Sequence, residues 1–198
     1  MGNAPRFADT HPSIFLRLNG SSTCVREIAW QEFHAHYAPA IAGFARRLGA
    51  PASDLDDIVQ EVLVGFFSKS PTFAYDPSRG RFRGYLKTCT CHVLRKRARP
   101  VGATAGVPLE RIDPEALEVE QAWDDVWEQQ LLRRAVEQVR AEIGLTRTFR
   151  AFEQYVMLDR PAQQVSRELG LHVDNVYRCK QQVTQLLRQR IQVMRDED

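Results

Sequence analysis

The chain has 198 residues, of which 43% are apolar and 26% charged, and its formal net charge is +2. That composition fits one folded domain or two small ones and excludes a disordered chain. No apolar run nears the ~20 residues of a membrane-spanning helix, and residues 1–18 lack the basic-then-apolar pattern of a signal peptide.

Residues 1–24 read as an N-terminal arm. From 25 to 48, Trp30, Phe33, Tyr37, Ile41, Phe44 and Leu48 recur at a three-to-four spacing, which predicts an amphipathic helix. Pro39 interrupts that pattern, so a kink or break is expected there. Gly49 and Pro51 then end the segment. Ser53 followed by Asp56 predicts a capping box, with Asp54 and Asp56 in a first turn that favours anions. Leu55, Ile58, Val59, Val62 and Phe66 form the buried stripe of this second helix. Opposite them lie Asp57, Gln60 and Glu61 with Val64 in their midst. A valine among polar groups has little use on a solvated face and suits a docking face.

Residues 68–82 are rich in Pro, Gly and Ser and read as a loop. A third helix, about 82–98, places Phe82, Tyr85, Leu86, Cys89 and Val93 on one side. Residues 79–99 hold eight Lys or Arg and no acid, whereas residues 101–130 hold eight Asp or Glu and one Arg. Such blocks point to nucleic-acid-facing surfaces separated by an acidic connector. The connector, 100–121, has little periodicity and reads as a linker. The next helix, about 122–143, aligns Trp123, Trp127, Leu131, Val136, Val139 and Ile143, and Thr146 caps a further one carrying Phe149, Phe152 and Val156. No strand-like alternation is present.

Residues 161–181 have the spacing of a helix-turn-helix, with Pro161 in the first turn, Gly170 at the bend and a small Ser166 where two helices cross. Val165, Leu169, Leu171, Val176 and Cys179 would fill its core. His172, Asp174, Asn175, Tyr177, Arg178 and Gln181 point outward from the second helix, about 173–190. In a major groove Arg178 suits guanine, Asn175 or Gln181 suits adenine, and Tyr177 and Lys180 suit phosphate or methyl contacts. A helical hairpin that packs on another protein shares this spacing.

The four cysteines (Cys24, Cys89, Cys91 and Cys179) form neither a CxxC pair nor a zinc-ligand pattern, and reduced, mostly buried thiols are expected. The acids of 54–61 have no convergent His or carboxylate partner in any motif, so neither a metal nor a catalytic role is expected of them.

Taken in order, "DLDDIVQEVLVGFF", "FAYDPSRGRFRGYLKTCTCHVLRKRAR" and "FRAFEQYVMLDRPAQQVSRELGLHVDNVYRCKQQ" make the chain resemble the extracytoplasmic-function (ECF) class of bacterial sigma factors, over about residues 10–193. The resemblance implies an all-α fold of two small helical domains, sigma region two at 25–99 and a sigma region-four helix-turn-helix at 122–194, joined by the acidic linker 100–121. It implies a non-catalytic, cytoplasmic initiation subunit that needs no cofactor or metal. Its partners would be core RNA polymerase and promoter DNA, with an anti-sigma protein as a further one. Asp57, Gln60, Glu61 and Val64 would dock on polymerase. Phe73 and Tyr75 would stack a flipped base of the minus-ten element, and Arg79, Arg81, Arg83, Lys87, Arg95, Lys96 and Arg97 would hold that strand. His172, Asn175, Tyr177, Arg178, Lys180 and Gln181 would meet the minus-thirty-five element. Acids of the linker, Glu110, Asp113, Glu115, Glu118 and Glu120, would mimic phosphates in polymerase channels. Tyr85 and His172 depart from the family's usual Trp and Ser or Thr. The rivals are a free-standing helix-turn-helix regulator, a metal-dependent nuclease, and an adaptor that docks on polymerase without reading promoters.

Overall fold

The computed structural model describes residues 17–18, 22–69, 82–98 and 112–197. Among these residues every regular element is helical, in an all-α fold: α1 (Thr23–Arg47), a 3-10 turn (Ala52–Asp54), α2 (Leu55–Lys69), α3 (Phe82–Arg97), α4 (Leu117–Ile143), α5 (Arg147–Phe152), a π-turn (Glu153–Met157), α6 (Ala162–Leu169) and α7 (Val173–Glu197). The chain divides into two compact units, Met1–Gln130 with Glu197–Asp198, and Leu131–Asp196.

In the first unit α1, α2 and α3 pack on one another through an aromatic cluster. Phe33 stacks on Phe66 at 5.2 Å and meets Tyr37 at 4.7 Å and Phe82 at 5.7 Å. Ala29, Phe33, Tyr37, Ala40, Ile41, Phe44 and Ala45 make one continuous buried face along α1. That face explains why Pro39 does not break the helix as the sequence suggested. A proline inside a helix costs about 3 kcal/mol or more, but Pro39 is on the exposed side, and the buried residues around it hold both halves in one helix.

The start of α2 also differs from expectation. The Ser53 hydroxyl donates to the neighbouring Asp54 carboxylate at 2.7 Å, and a 3-10 turn leads into the helix. Asp56 and Asp57 occupy the first turn of α2 and complement its dipole.

The largest departure concerns the acidic connector. Ile112 is fully buried, α4 begins at Leu117, and the division between the units falls after Gln130 rather than at residue 121. Val119, Ala122, Trp123, Val126 and Trp127 are buried in the first unit. Trp123 meets Phe44 edge-on at 5.0 Å, Trp127 stacks on Tyr37 at 6.1 Å, and Val126 lies so close to Gly43 that a Cβ there would be 3.0 Å from it. The apolar stripe of 119–127 thus covers α1, and the glycine permits the close approach.

The second unit has a small core of Ala151, Ala162, Val165, Val176 and Cys179, against which Tyr155, Leu169, Leu171 and Val173 pack. Thr146 caps α5 as expected, accepting from the Phe149 N–H at 3.3 Å.

Candidate functional site

Two surfaces carry the residues singled out by the sequence. On the first unit, Asp57, Gln60 and Val64 are exposed along α2, Val64 at 56%, and Glu61 is half-buried. Glu61 is the centre of this face. Its carboxylate accepts from Lys96 Nζ at 2.8 Å and Arg97 Nε at 2.9 Å, and Arg97 also lies 3.9 Å from Asp57. The hydrogen bonds from Lys96 and then Arg97 hold the Glu61 carboxyl below the ordinary carboxylate range. A face of α2 expected to meet a basic partner therefore adjoins two of the cations expected to meet nucleic acid.

The other cations of α3 face α4 and the segment before it. Lys87 is 8% exposed and pairs with Glu120, Arg83 lies 3.5 Å from Asp124, and Arg95 Nε donates to the Ile112 carbonyl. From α1, Arg47 meets Asp125 at 2.7 Å. Asp113 accepts from the Glu115 N–H at 3.0 Å, closing a turn before α4. The charge blocks of 79–99 and 101–130 thus neutralise each other in part within one unit. Phe82 is a core residue, and Tyr85 is half-buried beside it at 5.7 Å, its hydroxyl pushed up to about 12 by burial and by Cys89. Phe73, Tyr75, Arg79, Arg81 and Glu110 lie outside the described residues.

The buried Lys87 has a direct consequence. Glu120→Ala leaves its ammonium without its counter-charge, and we expect a loss of about 1–3 kcal/mol of stability. Lys87→Met removes the charge and keeps the volume, so it should cost clearly less. Denaturant unfolding followed by tryptophan emission measures both.

On the second unit α6 and α7 are joined through Gly170, whose left-handed φ of 61° and ψ of 41° suit glycine. The Leu171 N–H returns to the Ser166 carbonyl at 2.9 Å, and the Ser166 hydroxyl donates to the Leu171 carbonyl at 2.5 Å. The turn is tied to α6 by both bonds. His172 takes the place of a hydroxyl cap: its Nδ1 accepts from the Asp174 N–H at 3.4 Å. His172 just before α7 and Asn175, Tyr177, Arg178, Lys180 and Gln181 on its first turns are all exposed. Tyr177 and Lys180 both touch Tyr155, a residue the sequence reading passed over.

Among the described residues no group of three or more His, Cys, Asp or Glu is placed to hold a metal ion. Burial pushes the Cys91 thiol up to about 11, which leaves it protonated and a poor ligand.

Residues 33–100 match the family model for sigma-70 region 2. Over this segment the chain is similar to sigma-70 region 2. The matched segment comprises most of α1 together with α2 and α3, so the Glu61 face and the basic end of α3 both lie within it. The N-terminal half of α4 packs on α1 from beyond the matched segment. No curated protein and no solved structure matches the chain. No helix among the described residues is long and apolar enough to cross a membrane.

Proposed function

We propose that the chain is an alternative sigma factor of the ECF class, which binds core RNA polymerase, recognises a promoter and opens it for transcription initiation. The region 2 match carries this reading. In it, the exposed Asp57, Gln60 and Val64 and the half-buried Glu61 dock on polymerase as a carboxylate and amide face with an apolar spot. Phe73, Tyr75, Arg79 and Arg81 belong with the minus-ten strand, together with the exposed Lys96 and the half-buried Arg97 at the end of α3. Arg83, Lys87 and Arg95 contribute to strand binding less directly, because their partners in α4 and at Ile112 compete with phosphate.

Residues α6 and α7 form the helix-turn-helix of this reading. The N-terminal turns of α7 enter the major groove of the minus-thirty-five element, where Arg178, Asn175 and Gln181 carry the hydrogen-bonding groups that read base edges. The chain performs no chemistry of its own and works in the cytoplasm, where an anti-sigma protein is a natural regulator. A free-standing helix-turn-helix regulator leaves region 2 without a task.

The test is permanganate reactivity of thymines in genomic promoter fragments. Core polymerase with the chain should open a subset of fragments that neither opens alone. Failure to open any fragment, with the complex formed, contradicts the reading and favours the adaptor.

A further inference from the structure

Tyr155 lies in the π-turn Glu153–Met157, between α5 and the turn that leads to α6. A π-turn takes an extra residue into one turn of helix, which shifts the following side chains around the axis, and such turns recur at functional sites. Here the widened turn leaves Val156, Met157 and Leu158 exposed while Tyr155 packs against the small core of the second unit. Its ring meets two side chains of α7. Tyr177 stands edge-on to it with centroids 5.6 Å apart and planes at 81°, and Lys180 Nζ lies 5.5 Å from its centroid.

The two contacts fall on one flank of α7. At 100° per residue, the buried stripe of Val176, Cys179, Val183 and Leu187 faces one way, and Asp174, Arg178 and Gln181 face the other. Tyr177 and Lys180, three residues apart, lie side by side between the two. When the outward residues face the floor of a groove, this flank faces the sugar-phosphate strand beside it.

A free lysine is a poor phosphate contact until it is ordered, because its long side chain has many rotamers to lose. An ammonium held over an aromatic face keeps its donors toward water while its position is restricted. The edge-on pair likewise fixes the Tyr177 ring.

We infer that Tyr155 is a positioning residue for the nucleic-acid contact of α7, a ring platform that holds Lys180 and Tyr177 toward one phosphate strand. The inference rests on the proposed DNA-binding role of α6 and α7. It assigns Tyr155 no contact with DNA.

The experiment measures binding of the full chain to a labelled duplex of about 30 base pairs across a salt series. Tyr155→Leu keeps an apolar filler and removes the ring. It should weaken binding about threefold to tenfold, the range a partly exposed cation–π contact and its ordering allow. Tyr155→Phe should bind like the wild type. Lys180→Ala should lower the salt slope by about one phosphate contact, and adding Tyr155→Leu to it should cost less than Tyr155→Leu alone. Wild-type affinity in Tyr155→Leu, or full additivity with Lys180→Ala, overturns the inference while leaving the DNA role standing. No duplex binding by the wild type even at low salt removes that role and the inference with it. The arrangement has its own readout in the free chain: the Lys180 ε-methylene protons should be shifted upfield by the ring in the wild type and Tyr155→Phe, and not in Tyr155→Leu. An unshifted wild type overturns the platform.

Discussion

Trp123→Ala will destabilise the first unit by about 3–5 kcal/mol, the cost of emptying a large aromatic site in a core. Trp123 is 1% exposed and sits between Phe44 at 5.0 Å and Trp127 at 5.7 Å. The residue lies beyond the matched region 2 segment, on the part of α4 that packs against α1. In a freely solvated connector the same change would be close to silent. Trp123→Phe should cost less, because the buried indole N–H has no hydrogen-bond partner among the described residues and only volume is lost. Chemical denaturation followed by circular dichroism and by the remaining tryptophans measures the difference. A midpoint unchanged in Trp123→Ala would mean that the start of α4 does not belong to this unit.

Val176→Asp will unfold the second unit and leave the first one folded. Val176 is fully buried against Ala151, Ala162, Val165 and Cys179, and a carboxylate there has no cation in that core to pair with. An unpaired buried charge costs several kcal/mol, comparable to the whole stability of a core this small. The readout is direct because all three tryptophans, Trp30, Trp123 and Trp127, lie in the first unit. Helical ellipticity should fall by about the second unit's share while tryptophan emission and its unfolding midpoint stay as in the wild type. Simultaneous loss of both signals would show that the two units fold as one.

Local pattern carried the helices well. The spacing of Phe33, Tyr37, Ile41 and Phe44 marked the buried face of α1, and Val165, Val176 and Cys179 marked the core around α6 and α7. What pattern could not supply was the neighbour each face meets. Trp123 and Trp127 are plainly periodic, yet periodicity names a stripe and not the helix that covers it, so the pattern alone does not say which compact unit they join; both lie in the first. The pairing of the acids at 120–125 is hidden for the same reason: Glu120, Asp124 and Asp125 find Lys87, Arg83 and Arg47 only after the chain has folded back. At Pro39 the local cost that argues for a break is outweighed by burial that the pattern does not show.

The candidate sites were legible as residue types more than as arrangements. Asp57, Gln60, Glu61 and Val64 share a face of α2, as their spacing requires. The bonds from Lys96 and Arg97 to Glu61 depend on how α2 and α3 meet, which neither helix encodes alone. Tyr155 was overlooked because a helical pattern places it without regard to the π-turn. An aromatic residue among the exposed Val156, Met157 and Leu158 was the available signal.

The most direct measurement is the affinity of the purified chain for core RNA polymerase, wild type beside Asp57→Ala/Gln60→Ala/Glu61→Ala, with circular dichroism confirming the fold of both. The sigma-factor account predicts tight binding by the wild type and a loss of at least about a hundredfold in the triple variant, in line with about 1–3 kcal/mol for each hydrogen-bonded charge at an interface hot spot. Absence of binding by the wild type would contradict the account. Equal binding by the two would remove α2 as the docking face.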